Sequence, residues 1–223
     1  MTAPVRTVLF DLDGTLLDSI ELILGGYREM MRVHHGAVPP DEVWLRGIGT
    51  PLRLQIAELA RDAAQAEEMR LTYRAYNIEH HERLAGPYPG VCAVVDALAE
   101  AGIALGVVTS KRRVGAFRGL DRMGLTERFG AVVGADDVSH PKPHPRPVHH
   151  ALELLDADPE TAVFIGDSTH DMESGRAAGV RTGAVLWGPF SQDALAPHEP
   201  TWWFEEPGAI LASLAPLLES PRA

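Results

Sequence analysis

The chain has 223 residues, 45% of them hydrophobic, with 31 acidic against 20 basic side chains and a formal net charge of −11. That length suits one large α/β domain or an ordinary domain carrying a smaller one, and the composition is that of a soluble globular protein. So acidic a surface repels nucleic acid and anionic membrane, which excludes both as expected partners and obliges any site for an anion to carry its own positive charge.

Val5 to Phe10 reads as a short buried strand, rich in β-branched residues. From Ser19 to about Arg83 the pattern turns helical: Leu52, Ile56 and Leu59 recur at helical spacing, as do Met69, Tyr73 and Tyr76. Gly86-Pro87 and Pro89-Gly90 punctuate the end of this block. Val91, Val94, Val95 and Leu98 then form one helical face, closed by Gly102 at the C-terminal cap position. Ile103 to Val108 is a predicted strand ending in Thr109-Ser110-Lys111, followed by a helix to about Met123 and a strand at Ala131 to Val133. Val148, Ala151, Leu152 and Leu155 mark a further helix, and Ala162 to Ile165 a further strand. A glycine-punctuated helix leads to Thr182–Trp187, expected as the last strand, and Ile210 to Leu218 is expected to close the chain as a helix.

Strands alternating with helices predict a doubly wound parallel sheet, Rossmann-like and covered on both faces. The helical block of about 65 residues after the first strand is too long for a loop. It is expected to form an inserted all-helical cap over 19–86, with 1–18 and 87–223 making the catalytic core. The single cysteine, Cys92, excludes an internal disulfide and a Cys-based zinc cluster, and is expected to be a buried inert thiol. No signal peptide precedes Val5, and no apolar run approaches the ~20 residues of a bilayer span, so a cytoplasmic location is expected.

Sites in such sheets form at the carboxyl ends of the strands. The residues there are Asp11, Asp13, Gly14 and Thr15 after the first strand and Thr109 with Ser110 after the second. Asp136, Asp137 and Lys142 follow the third, and Asp167, Ser168 and Asp171 follow the fourth. Side chains at i and i+2 of a strand share a face, so Asp11 and Asp13 point near one locus if the strand persists. Crowded carboxylates raise one another's pKa unless a cation intervenes, and an all-oxygen set calls for a hard cation such as magnesium. Lys142, stiffened by Pro141 and Pro143, is a second positive charge. Thr109 and nearby backbone N–H groups could hydrogen-bond phosphoryl oxygens. A carboxylate can attack phosphorus, and a second one two residues on could serve as acid and base. Gly14 permits a backbone turn that keeps the second acid off a continuing strand.

Other readings fit less well. Asp-x-Asp-Gly suggests a calcium loop, but an EF-hand places its glycine sixth and a glutamate twelfth. Gly47-x-Gly49 lacks the third glycine and the preceding strand of a dinucleotide fingerprint. The adjacent histidine pairs (34–35, 80–81, 149–150) do not share a helical face, which argues against a transition-metal site. His144 and His170 lie beside the site strands, where they could contact substrate, with surface exposure the expected state; Asp136 and Asp137 are expected to be structural or solvated, the alternative being a contact behind the metal's direct ligands.

The assembled residues resemble the haloacid dehalogenase superfamily of phosphohydrolases. Its motifs occur in order as DLDGT at Asp11–Thr15, the strand ending at Thr109, Lys142 in HPKPHPRP, and GDSTHDM at Gly166–Met172. The resemblance spans nearly the whole chain and implies a Rossmann-like core with a helical cap after the first motif. It also implies roles: Asp11 as nucleophile and Mg2+ ligand, and Asp13 as acid/base and ligand through its carbonyl. Thr109 would bind the phosphoryl group with Ser110 and Gly14, and Lys142 would neutralise the intermediate. Asp167 would hold the metal, with Asp171 acting from behind it. Asp13 argues against dehalogenase activity, since the dehalogenases of the superfamily lack that second aspartate.

Within the superfamily the nearest likeness is to PpaX-type inorganic pyrophosphatases, through IGTPL at Ile48–Leu52, YRAYNIEHHERL at Tyr73–Leu84 and TSKRR at Thr109–Arg113. Phosphoglycolate phosphatases are the alternative. The implied partner is pyrophosphate or a small phosphorylated substrate, with the chain a monomer or homodimer. Arg46, Arg53 and His81 are cap candidates for contacting it. A sugar phosphomutase would share the core and differ in the cap. A phosphoprotein-binding module would have no need of both Asp11 and Asp13.

Overall fold

A computed structural model describes residues 3–218. Six parallel strands form one sheet in the order β5-β4-β1-β6-β7-β8: β1 (Thr7–Phe10), β4 (Ala104–Val108), β5 (Ala131–Val133), β6 (Ala162–Gly166), β7 (Arg181–Val185) and β8 (Trp202–Phe204). β1 is central, with Phe10 in register with Val107 of β4 on one side and Ile165 of β6 on the other. The chain winds outward through β4 and β5, then crosses back to β6, so the winding reverses beside β1. A crevice opens at such a reversal, outside the carboxyl ends of the strands.

Both faces of the sheet are covered, which explains why the strands read as continuous apolar runs. Val8 and Phe10 pack with α5 (Val91–Glu100), α6 (Arg113–Met123) and the closing helix (Gly208–Leu214) through Val95, Leu98, Leu120 and Ile210. Leu9 points the other way, with Val108 and Val133, onto Val148, Ala151 and Leu152 of α7 (Arg146–Leu155). The α8 helix (Thr169–Ala177) packs beside β6 and β7. Cys92 is only half-buried on α5, and burial raises its thiol pKa.

Between β1 and α5 stand four helices, α1 (Ile20–His35), α2 (Asp41–Leu45), α3 (Leu52–Leu59) and α4 (Ala63–Leu84). They have an apolar cluster of their own: Tyr27 stacks on Trp44 at 4.4 Å between ring centres, packed with Met30, Ile56, Met69 and Tyr73. The α1 helix stops at Gly36, whose φ of 68° is the left-handed conformation that terminates helices. Asp62 starts α4 by accepting a hydrogen bond from the Gln65 N–H at 2.8 Å. The chain enters and leaves this block through a two-stranded antiparallel ribbon, β2 (Leu17–Asp18) with β3 (Gly86–Pro87).

The expected strands recur with small shifts. The first begins at Thr7, with Val5 making a separate bridge to Leu218. Thr182–Trp187 is not the last strand: it overlaps β7, which ends at Val185, and β8 follows at the sheet edge. Three residues flanked by Pro200 and Pro207 are too few to show an alternating pattern. The two-residue ribbon was missed for the same reason. The closing helix is shorter than expected, ending at Leu214 with a 3-10 turn to Leu217. Residues 219–223 of the expected core lie outside the described residues.

Candidate active site

β1 ends at Phe10, but its ladder continues one step further, with the Asp11 N–H donating to the Ile165 carbonyl at 2.9 Å. This fixes Asp11 at the crevice, 6% exposed. The chain then turns back on itself: Leu16 and Leu17 N–H groups donate to the Leu12 carbonyl at 2.9 and 2.8 Å. The strand geometry therefore does not persist to Asp13. Its Oδ1 instead accepts from Ser19 Oγ at 2.6 Å and from Lys111 Nζ at 2.5 Å.

Gly14 makes that turn possible. Its φ is 89°, and a Cβ there would lie 2.6 Å from Asp167 Oδ2. Its N–H, counted among the expected phosphate contacts, donates to the Leu17 carbonyl at 2.9 Å, so the residue contributes space and a turn. Thr15 Oγ1 donates to Asp167 Oδ1 at 2.8 Å. The other Asp167 oxygen is buried without a partner.

Lys142 is brought under the sheet ends from the loop before α7. Its Nζ donates to Asp11 Oδ1 at 2.9 Å, Asp171 Oδ1 at 2.6 Å and the Val108 carbonyl at 3.2 Å, which uses all three of its protons. Asp171 sits in the first turn of α8, where Ser168 and Asp171 form a reciprocal capping box. Its second oxygen accepts from Ser168 N and Oγ at 3.0 and 2.6 Å. With both oxygens engaged, Asp171 orients Lys142, while Asp11 lines the crevice and Asp167 keeps one oxygen unpartnered beside it.

Asp11, Asp167 and Asp171 each place a carboxylate oxygen within 4.8 Å of the others, all buried. Against one ammonium, three ionised carboxylates leave two negative charges uncompensated. Burial raises the Asp11 pKa to about 7; the Lys142 charge pulls it down, and Asp171 pushes it up again. Burial, then the Asp11 and Asp171 charges, raises Asp167 well above the carboxylate range. Burial works against the Lys142 ammonium, yet Asp11 and Asp171 together hold its pKa above that of ordinary lysine. An unpartnered carboxylate oxygen, an all-oxygen donor set and a charge deficit of two fit a hard divalent cation.

Above these groups the helical block and the core enclose a cavity of about 300 Å³. Asp11, Asp13, Thr109, Ser110 and Lys111 line it from the core, and Thr50, Arg53, Arg74, Asn77 and His81 from the helices. Arg46, expected as a cap contact, is not among the lining residues. Thr109 is 4% exposed, and its hydroxyl accepts from the Lys111 N–H at 3.2 Å. Ser110, expected at the phosphate, donates its hydroxyl to the Gly49 carbonyl of the helical block. Thr50 Oγ1 lies 3.3 Å from His170 Nε2, a second tie from this loop to the core. His144 is exposed, as expected, and stacks on His140, whereas His170 is half-buried against the Gly49–Thr50 loop. Asp136 and Asp137 are structural: Asp136 accepts from the Arg113 N–H at 2.7 Å and Asp137 from the Gly134 N–H at 2.8 Å.

Sequence reasoning gave no role to Ser19, Lys111 or the Gly49–Thr50 loop. Ser19 stands where an N-cap belongs, but its hydroxyl goes to Asp13 instead of to the helix. Lys111 had one available signal, a cation two residues after the strand-end threonine in an acidic chain.

Comparison with known proteins places this geometry. The model of the haloacid dehalogenase-like hydrolases matches residues 8–185, from within β1 to the end of β7. This chain belongs to that family. Among curated members, the pyrophosphatase PpaX of Bacillus cereus is 37% identical over 211 residues, covering 95% of this chain and 97% of the relative. A haloacid dehalogenase-like family hydrolase from Streptococcus pneumoniae has a similar solved structure, with a TM-score of 0.81 at 26% identity over 94% of this chain and 98% of that one. So does a Lactobacillus plantarum protein provisionally assigned as a phosphoglycolate phosphatase, with a TM-score of 0.83 at 27% identity over 94% and 99%. In this haloacid dehalogenase-like fold the carboxylates, the lysine and the cavity all lie at the sheet's winding reversal. Among the described residues no helix is long and apolar enough to cross a membrane.

Proposed function

We propose that this hydrolase is a magnesium-dependent phosphatase that forms an aspartyl phosphate on Asp11, and that its leading substrate is inorganic pyrophosphate. The observation that carries the reading is Asp11 itself: it lines the cavity with one oxygen held by Lys142 and stands beside the unpartnered oxygen of Asp167. Asp11, Asp167 and the Asp13 carbonyl would hold Mg2+, which when bound supplies positive charge to the phosphoryl group and to the carboxylates.

The chain's own groups divide the chemistry. Lys142 orients the Asp11 carboxylate and balances part of its charge, so that its other oxygen is free to attack phosphorus. Thr109, with the neighbouring backbone, holds the phosphoryl oxygens at the strand ends. Asp13 has one oxygen tied to Ser19 and Lys111, which leaves the second to give a proton to the departing oxygen as the phosphorus–oxygen bond breaks. The same carboxylate then takes a proton from water, which attacks the phosphorus and releases Asp11. We assign 19–86 as a cap that excludes water from this step, and 1–18 with 87–223 as the catalytic core.

Pyrophosphate leads because a PpaX pyrophosphatase shares 37% identity over almost all of both chains. 2-Phosphoglycolate, or another small phosphate monoester, is the second reading, favoured by the Lactobacillus plantarum structure. Either substrate suits a cytoplasmic enzyme acting as a monomer or homodimer. Phosphate release from pyrophosphate and 2-phosphoglycolate, side by side in magnesium, tests the reading. Faster release from pyrophosphate is expected, with at least about 10³-fold loss in Asp11→Asn. Near-wild-type release by Asp11→Asn would show that Asp11 is not the nucleophile.

A further inference from the structure

The helical side of the cavity carries a buried polar group outside the carboxylate cluster, one of the cap candidates above and unused in the chemistry so far. His81, in the last turn of α4, lines the cavity and is 4% exposed. Neither of its ring nitrogens has a hydrogen-bond partner. The nearest carboxylate, Glu82 Oε1, lies 3.9 Å from Nδ1, beyond hydrogen-bonding distance, on a side chain 80% exposed. Burial, then the charges of Lys111 and Arg118, holds the imidazole below its ordinary pKa, so it is neutral at pH 7, with one N–H to give and one lone pair. A buried ring that satisfies neither is a cost that an apolar residue of similar volume would avoid.

Its neighbours indicate what the ring meets. Lys111 Nζ is bonded to Asp13 Oδ1 at 2.5 Å, and the same lysine bears electrostatically on His81. Lys111 therefore borders both the carboxylate that protonates the leaving oxygen and the surroundings of the ring. Arg118, with Lys111 shared between this region and Asp13, favours an anionic acceptor over an uncharged hydroxyl, and a cavity of about 300 Å³ limits that group to a small one.

We propose that His81 is a specificity-determining residue that donates its ring N–H to the far, non-reacting anionic group of the substrate, with Lys111 and Arg118 supplying positive charge around it. The far group is a phosphoryl or a carboxylate; the contact rests on the phosphohydrolase reading above and narrows its substrates to small phosphates with a second anionic head.

The test uses stable probes, so that it does not depend on turnover. In magnesium, methylenediphosphonate and phosphonoacetate carry two anionic heads, and methylphosphonate carries one. The His81 ring resonances, assigned by their loss in His81→Leu, are expected to shift with a two-headed probe and to stay in place with methylphosphonate. His81→Leu is expected to weaken the two-headed probe by about tenfold, the worth of a hydrogen bond to a charged group, and to leave methylphosphonate within about twofold. Whichever two-headed probe loses more identifies the phosphoryl or the carboxylate as the far group. Unmoved His81 resonances, or equal weakening of all three probes, would overturn the proposal. Should His81→Leu fail to fold, the wild-type resonances decide alone, supported by weaker two-headed binding in Arg118→Gln at an exposed position. A protein that binds methylenediphosphonate through His81 yet releases no phosphate from pyrophosphate would keep this contact and lose the pyrophosphate reading. The converse result would lose only His81.

Discussion

At Lys142 two carboxylates and a carbonyl converge on one ammonium that is 3% exposed, and the stability of the site turns on that charge. Lys142→Ala leaves Asp11 and Asp171 facing each other without a cation. Removing one partner of a buried ion pair costs about 3–5 kcal/mol, which in a chain of this size lowers Tm by roughly 10 °C. The loss should be smaller at pH 5 than at pH 8, because the orphaned carboxylates then take up protons; thermal melts at the two pH values check this. Gly14→Ala acts through shape instead. A left-handed φ costs a side chain about 1–2 kcal/mol, and the new Cβ would displace Asp167, whose oxygen lies 2.6 Å away. Magnesium titration should show a weakened site in this variant, with the fold retained.

The helices between β2 and β3 carry their own apolar cluster, so as elements they can be perturbed separately from the sheet. Ile56 is 1% exposed there, and Ile56→Ala should cost about 2–5 kcal/mol. If 19–86 is a cap with its own stability, hydrogen exchange will speed up in α1 and α4 while β1 and β6 stay protected. Uniform loss of protection would show one cooperative unit and argue against the division. The loop at Gly49–Thr50 is one element that ties the two together, through Ser110 and His170, and the Arg122–Glu82 pair is another.

At the scale of the whole molecule, an acidic chain concentrates still more acid at its centre. The sign of the resulting pH dependence follows from Asp11 and Asp167, both raised above the ordinary carboxylate range by burial first and by neighbouring charges second. The native state holds protons that the unfolded chain releases, so this contribution is fully present below the unfolded pKa of about 4 and is lost as pH rises through the Asp11 value of about 7. With metal removed by chelator, wild type should lose stability relative to Asp11→Asn between pH 5 and pH 8. Magnesium added at pH 8 should raise the wild-type Tm more than at pH 5, where protons compete for the same oxygens. Equal magnesium shifts at both pH values would count against the carboxylate site.

The parallel sheet and the inserted helices were legible in the sequence because each depends on local periodicity: β-branched runs at Thr7–Phe10 and Ala162–Gly166, and helical spacing from Leu52 through Tyr76. The strand-end carboxylates and Lys142 were legible because sites in such sheets collect at one edge. β8 was not, since three residues carry no period. The burial that raises Asp11, the diversion of Ser19 and Lys111 to Asp13, and the unpartnered ring of His81 were not legible either. These depend on contacts between residues as far apart as 13 and 111, and on how much water the packing around them excludes. Residue types and their order determined the chemistry available to this protein; only the packed structure decided which groups are charged, which are held, and which remain free to meet a substrate.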